Sequence, residues 1–227
     1  MTNSEIKKVL LSKGVQNLYH TNTVETSLSF MKSGGMLSRG LCEDLGFPQT
    51  DQNTDALDKE FGIYYDIFFD SIEIQRITGI SYYGPVMFVY SLDVLDIVKE
   101  GNILITKSNP QKWKHTESYN DHYFLRLDEL NSSFLKNDFG QHITLVNQRQ
   151  PLSFKYLEGI VLSDAQQSDN TLFYTAKNAI AKAIESNQLN VCLEIRDYGY
   201  SERFYNTYSS SNKELIKKHF GLGGHTL

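Results

Sequence analysis

The chain has 227 residues, 40% of them hydrophobic and 22% charged, which predicts a packed core and excludes wholesale disorder. Its formal net charge of -5 argues against coating duplex nucleic acid or an anionic membrane by charge alone, although it leaves room for a local basic groove. The only cysteines, Cys42 and Cys192, lie far apart, so a disulfide framework and a cysteine zinc site are excluded and a reducing, cytoplasmic setting is expected. No segment approaches the roughly 20 apolar residues of a membrane span, so no membrane partner is expected.

The first predicted element is a helix over residues 3–13, capped by Asn3 or Ser4 and ended by Gly14. A short strand is expected to follow over 15–20. The apolar residues of this helix share one face, so the helix is predicted to pack on the core through that face.

The second predicted helix covers residues 25–34, with Thr23 or Thr26 as its cap. The pair Gly34 and Gly35 ends it, because glycine adopts the left-handed conformation in which many helices terminate. A polar, turn-rich excursion with about one helical turn is expected over 42–61.

The middle of the chain is aromatic and β-branched. Residues 62–74 allow a helical or an extended interpretation, whereas residues 81–92 indicate a clear strand with Pro85 at its start or on an edge. Ser91 is expected to cap a short helix that follows. The remaining expected elements are a strand over 102–108, a loop over 109–124, strands over 143–146, 154–164 and 190–198, a helix over 170–188 and a loose tail over 209–227.

Short strands interleaved with short helices, without regular βαβ spacing, favour the α+β class over a doubly wound parallel sheet. Several signatures are absent from the sequence: a GxxxxGK[ST] phosphate loop, a GxGxxG turn after a strand, HExxH and GxSxG. Kinase, P-loop ATPase, ordinary dehydrogenase, zincin and α/β-hydrolase functions are therefore poor hypotheses.

Three segments occur in an informative order. LYHTN precedes a helix and GGML, an aromatic block spans residues 64–95, and FKYLEGIVLSD places Glu158 inside an apolar strand. With the TKSNP turn at 106–110, this order resembles the DarT-like ADP-ribosyltransferases over roughly residues 15–165. The resemblance implies a split sandwich of two small mixed or antiparallel sheets around an NAD cleft, and NAD as co-substrate without a metal.

The resemblance also implies roles for individual residues. It gives His20, Thr21 and Asn22 a ribose-binding role and Tyr82 or Tyr83 a role in stacking on nicotinamide. Glu158 would be the catalytic carboxylate. Arg76 would hold the NAD diphosphate, and Arg39 is the alternative for this role. The sequence departs from the family pattern after Arg76, where ITGISYYGP replaces the expected proline-bearing stretch.

These residue types suit the chemistry. Cleavage of the nicotinamide–ribose bond builds positive charge on the sugar, and a fixed carboxylate stabilises that charge more in the transition state than in the ground state. A guanidinium fork gives a diphosphate two charge-assisted hydrogen bonds. Each residue also has a purely structural interpretation: Glu158 as a solvent-facing strand residue, His20 as a hydrogen-bonded structural histidine, and Arg76 as a surface ion-pair partner of Glu73.

The acceptor implied by the resemblance is a base of single-stranded RNA or DNA. A patch of cations interleaved with an indole could contact a nucleic-acid strand; it comprises Lys112, Trp113, Lys114 and His115. Arg149 lies in the segment where this superfamily places its substrate-contacting loop. A solvated loop is the simpler interpretation of both. His115 and His122 lack the close spacing of a zinc site.

The sequence predicts an ADP-ribosyltransferase core over residues 1–164 and a C-terminal helix–strand–helix extension over 165–227 packed on it as a single domain. The predicted function is that of an intracellular toxin in a toxin–antitoxin or anti-phage system, neutralised by an antitoxin protein. Two alternatives stay open. One is ADP-ribosylation of a protein side chain or simple NAD hydrolysis, and the other is a non-catalytic nucleotide- or RNA-binding module.

Overall fold

The structure is a computed structural model that describes residues 1–78, 83–136, 138–164, 171–197 and 212–225. It contains small sheets surrounded by short helices, so the predicted α+β class is confirmed. The described α-helices are α1 (Asn3–Ser12), α2 (Val24–Ser33), α3 (Arg39–Asp44), α4 (Asp55–Glu60), α5 (Ile74–Thr78), α6 (Tyr119–His122), α7 (Leu127–Ser133), α8 (Thr171–Ser186) and α9 (Lys213–Phe220). Short 3-10 helices cover Leu92–Ile97, Pro110–Lys112 and Phe154–Tyr156.

The described strands form two sheets and one short pair. They are β1 (Asn17–Asn22), β2 (Gly35–Met36), β3 (Ile67–Phe69), β4 (Val86–Ser91), β5 (Ile103–Ile105), β6 (Ile143–Leu145), β7 (Leu152–Ser153), β8 (Leu157–Ser163) and β9 (Cys192–Arg196). The larger sheet has the order β1-β4-β8-β9, the smaller sheet the order β3-β6-β5, and β2 pairs with β7. Tyr19 and Asp70 exchange backbone hydrogen bonds of 3.0 and 2.9 Å, which join the edge of the larger sheet to the smaller one.

Alternation along β1 decides what each face carries. Leu18, His20 and Asn22 point to one face, where Phe88 of β4 lies opposite His20 and Ile160 of β8 lies opposite Phe88. Leu18, Phe88 and Ile160 are fully buried, so this face forms the main core. Tyr19 and Thr21 consequently project from the opposite face of the same sheet.

The helix caps follow local hydrogen-bonding rules. Thr2, rather than the expected Asn3 or Ser4, caps α1: its side chain accepts from the Glu5 backbone N–H, and the Glu5 carboxylate accepts from the Thr2 backbone N–H. Thr23 caps α2, and Gly34 ends α2 with φ of 77°, as predicted.

The aromatic stretch over 62–74 follows the extended interpretation, since it forms strand β3 and helix α5 begins only at its last residue. The excursion over 42–61 contains two helical segments, the end of α3 and the whole of α4, instead of one turn. Pro85 directly precedes β4, as expected for a residue that cannot donate to a ladder.

The C-terminal residues that the structure describes correct the expectation of a loose tail. Phe220 at the end of α9 is 1% exposed and lies 6.3 Å, ring to ring, from Phe173 of α8. His225 contacts the Ser29 hydroxyl and the Glu25 carbonyl through Nε2, at 3.1 Å each. The tail docks because α9 is amphipathic and buries its apolar side. Strand β9 also pairs in parallel with β8, while the boundary at residue 164 stays a prediction.

Candidate functional site

A cleft lies where β1 ends, between the two sheets. Its enclosed volume is about 110 Å³, room for one ring or sugar rather than a whole dinucleotide, and it opens to solvent. Its wall includes five residues singled out in the sequence: His20, Thr21, Asn22, Arg39 and Tyr83. These residues come together because β1 ends at the cleft, α3 begins there, and the segment before β4 contributes Tyr83 to the same wall.

His20 is fixed in the cleft as an oriented ring. Its Nδ1 lies 2.8 Å from the Phe68 carbonyl oxygen, so this nitrogen donates and Nε2 is left as an acceptor. The Asn22 side-chain amide donates to Nε2 at 3.4 Å. Burial lowers the pKa of His20, which favours the neutral ring, and a ligand hydroxyl could take over the Nε2 lone pair by displacing the long bond from Asn22.

Arg39 supplies a positive charge at the cleft. Its Nε and one terminal nitrogen donate to the two Asp55 carboxylate oxygens at 2.9 and 2.5 Å, and the other terminal nitrogen donates to the Thr50 carbonyl at 2.9 Å. These three bonds orient a group that carries five N–H donors in total. The guanidinium is therefore held in place on the cleft wall, and these bonds use three of its five donors.

Tyr83 closes one side of the cleft. Burial raises the pKa of its hydroxyl to about 12, and the Gln111 side-chain amide donates to that hydroxyl at 3.3 Å. Across the cleft, the Asp70 carboxylate lies 3.1 Å from Nδ1 of His142. Tyr82, the other predicted stacking residue, lies outside the described residues.

Two carboxyl groups on the cleft wall were missed by the sequence reasoning. Burial raises the pKa of Asp66 to about 7 and that of Asp58 to about 6, and mutual repulsion contributes to the rise at Asp66. Perturbed acids in a cavity are typical of functional sites. The signal was present: Asp66 is a lone carboxylate between Tyr64 and Phe69, the same pattern that drew attention to Glu158.

Glu158 and Arg76 are placed elsewhere. Neither belongs to the described wall of the cleft. Glu158 is the extra residue where the β4–β8 register shifts, since Leu157 pairs with Tyr90 and Gly159 pairs with Val89. Its side chain is exposed and its charge acts on Tyr19, which places it on the face of the sheet opposite His20.

Arg76 forms an ion pair with Glu73 at 2.7 Å and its side chain is 66% exposed, as in its simpler interpretation. Glu73 also contacts Arg196 of β9, which in turn bonds Glu194 at 2.6 Å. A charged cluster thus covers the Tyr19 face of the sheet. Its members tie the predicted C-terminal extension to the predicted core.

The predicted nucleic-acid patch is only partly presented to solvent. Lys112, Lys114 and His115 are exposed, but the Trp113 ring is 6% exposed and stacks on His122 at a centroid distance of 3.9 Å. The indole turns inward because it completes a small second core with Ile63 and Tyr123. Trp113 is therefore part of the packed interior. The loop that carries the patch borders the cleft through residues 109–111.

Arg149 is exposed and lies over the Tyr65 ring, with its guanidinium carbon 3.2 Å from the ring centroid. It also donates to the Asn147 side chain at 2.9 Å. This segment is held against the surface rather than projecting from it.

The described residues contain no group of three or more His, Cys, Asp or Glu side chains arranged to hold a metal ion. Within the same part of the chain, no helix has the length and apolar character needed to cross a membrane.

Comparisons with known proteins give one informative result. No protein-family model and no curated protein sequence matches the chain. Among solved structures, DarT of Thermus sp. 2.9 in complex with ADP-ribosylated ssDNA is similar with a TM-score of 0.50 and 13% identity, over 81% of this chain and 95% of the DarT chain. The same protein in complex with NAD+ gives a TM-score of 0.48 and 13% identity, over 80% of this chain and 96% of that one. The first comparison confirms the expected architecture: the chain has a DarT-like ADP-ribosyltransferase fold.

Proposed function

We propose that the protein is an NAD-dependent ADP-ribosyltransferase that modifies a base of single-stranded nucleic acid, RNA or DNA. The observation that carries this proposal is the cleft at the end of β1, where His20, Thr21, Asn22, Arg39 and Tyr83 converge within a DarT-like fold. The DarT structure with ADP-ribosylated ssDNA supports the acceptor class.

The cleft residues suit the parts of a dinucleotide. Arg39 would donate to the diphosphate, because its orientation is already fixed by Asp55. Neutral His20 and the Asn22 amide would bond ribose hydroxyls, which both donate and accept. The Tyr83 ring offers a flat face to a heteroaromatic ring.

Glu158 is the proposed catalytic carboxylate. The nicotinamide–ribose bond breaks with its electron pair going to the ring nitrogen, which leaves as neutral nicotinamide. A base nitrogen or oxygen of the acceptor forms the new bond to the sugar carbon, and the proton it loses goes to Glu158 or to water. The β-bulge at Glu158 supports this role, since bulges commonly re-aim a side chain next to an active site.

The test is incubation of the protein with labelled NAD and an RNA or single-stranded DNA oligonucleotide, with nicotinamide release and label transfer as readouts. We expect Glu158→Gln to lower transfer by about 100-fold or more, the size of effect seen when an electrostatic transition-state contact is removed. Glu185→Gln is the control for removing one surface carboxylate, because Glu185 is exposed on α8 and does not belong to the charged cluster on the Tyr19 face. Equal activity of the wild type and Glu158→Gln would remove Glu158 from the mechanism.

The same assay separates the alternatives. Label that survives nuclease treatment would identify a protein acceptor. Nicotinamide release without label transfer would identify an NAD glycohydrolase. Oligonucleotide binding with background nicotinamide release would identify a non-catalytic binding module.

A partner that neutralises the activity belongs to the proposal, because an enzyme that modifies single strands would also damage the cell that makes it. The expected result is that expression of the wild type alone stops growth, while Glu158→Gln does not. Harmless expression of a wild-type protein that is active in vitro would argue against a toxin.

A further inference from the structure

Part of the cleft wall is apolar, and acidic groups belong to the same wall. Phe30, Leu37, Ile63 and Ile67 supply apolar surface, and Asp66, next in sequence to Ile67, lines the same cleft. Such a wall suits a planar ring that carries a polar substituent on its edge. The inference developed from it rests on the proposed function, because it names the part of the dinucleotide that the wall would bind.

Asp66 has one satisfied oxygen and one unsatisfied oxygen. The residue is 6% exposed, and its Oδ1 accepts from the Asn147 backbone N–H at 2.8 Å. The described residues provide no hydrogen bond to Oδ2, and Asp66 lines the cleft. Oδ2 is therefore an acceptor that a ligand donor in the cleft can reach, and the ligand must replace any water there.

The neighbours of Asp66 strengthen its demand for a donor. Asp58 of α4 repels its negative charge, and Tyr119 and Tyr123 lie close enough for the carboxylate to raise the pKa of both phenols. None of these three groups neutralises the carboxylate. A ligand N–H directed at Oδ2 would satisfy the atom and favour the charged form.

We propose that Asp66 recognises an exocyclic amino group on a planar ring of the dinucleotide, with the apolar wall holding the ring. NAD carries two such groups, the adenine 6-amino group and the nicotinamide carboxamide. Both present N–H donors at the edge of a flat ring, so both fit the same chemistry. A phosphate fits it less well, because the Asp66 and Asp58 carboxylates would repel its negative charge.

The experiment measures affinity by calorimetry for NAD and two analogues. Nicotinamide hypoxanthine dinucleotide replaces the adenine amino group with a carbonyl acceptor, and 3-acetylpyridine adenine dinucleotide replaces the carboxamide amino group with a methyl group. We expect the wild type to bind one of the two analogues about 10- to 100-fold more weakly than NAD, the range for losing a hydrogen bond to a charged group. The analogue that weakens identifies the ring.

The variant is Asp66→Asn, which keeps the shape and the acceptor for the Asn147 N–H but turns a donor toward the cleft. This variant is expected to abolish or reverse the preference for NAD over the weaker analogue. Glu185→Gln, at an exposed position on α8, is expected to keep that preference. A wild type that binds NAD and both analogues equally, or an Asp66→Asn protein that discriminates as the wild type does, would overturn the inference.

The failure of this inference can be told apart from failure of the proposed function. A wild type that binds NAD without ring discrimination loses only the role of Asp66. A parallel titration with adenosine against inosine, and nicotinamide against 3-acetylpyridine, measures the ring preference even if the dinucleotide does not bind. The absence of any preference there overturns the inference, and the absence of NAD binding overturns the proposed function.

Discussion

Replacing Asp66 with asparagine should stabilise the folded protein at alkaline pH. In the folded state burial raises the pKa of this carboxyl from 3.8 to about 7, with repulsion from Asp58 adding to the effect. Between those two values the native protein holds a proton that the unfolded chain has lost. The free energy of unfolding therefore falls as pH rises through this window and levels off above pH 7.

The magnitude follows from the shift. About three pKa units at 1.36 kcal/mol each correspond to roughly 4 kcal/mol lost by the wild type across the window. Asparagine cannot ionise and still accepts from the Asn147 N–H, so the variant lacks this loss. For a chain of this size, roughly 4 kcal/mol corresponds to a rise in melting temperature of about 10 °C above pH 7.

Urea unfolding of both proteins from pH 4 to pH 8.5 is the assay. The two stability curves should converge near pH 4 and separate steadily toward pH 7, while Glu185→Gln should follow the wild type. Curves for the wild type and Asp66→Asn that run parallel across the range would refute the reasoning, because they would show that the carboxyl has the same pKa in the folded and unfolded states.

Three further measurements test other parts of the structure. Gly84→Ala should lower the free energy of unfolding by more than about 3 kcal/mol, since φ is +139° and a Cβ would lie 2.3 Å from the Asn22 carbonyl oxygen. Gly101→Ala, at φ of +81° in open space, should lower it by about 1 kcal/mol. Equal losses for the two variants in urea unfolding would contradict the tight contact at Gly84. Trp113, the only tryptophan, should emit at short wavelength and be insensitive to acrylamide and to added oligonucleotide, and strong quenching by an oligonucleotide would show that the indole meets the strand. In the native protein only the exposed thiol of Cys192 should react rapidly with Ellman's reagent, because Cys42 is buried and burial raises its pKa to about 11. Two thiols that react equally fast would refute this.

Local rules predicted what short-range chemistry decides. The Thr23 cap, the Gly34 stop and the position of Pro85 depend on hydrogen bonds and dihedral angles within a few residues, so the sequence was sufficient. The docked tail was not predictable in this way. Burial of Phe220 against Phe173 depends on a partner 47 residues away in sequence, and glycine-rich composition does not reveal it.

The candidate site shows the same division. His20, Thr21 and Asn22, which line the cleft, were singled out because a polar run at the end of a strand is visible in the sequence. Asp66 was missed because the alternation of its segment was ambiguous between strand and helix, so its direction could not be assigned. Trp113 was expected at the surface because it stands between two lysines, yet its ring completes a core whose other members, Ile63 and Tyr123, come from separate segments.

The two faces of the larger sheet place a requirement on the proposed reaction. His20 lies on the face opposite Glu158, so a single ligand can reach both only by passing around the end of β1. Thr21 lies at this point, because it lines the cleft as a residue while its side chain projects from the Tyr19 face. Strand β8 lies two strands from β1, a separation of about 10 Å. The ring proposed to bind near Asp66 and the sugar carbon proposed to lie near Glu158 would then belong to opposite ends of the bound molecule. This arrangement predicts that the hypoxanthine analogue, rather than the acetylpyridine analogue, binds more weakly than NAD.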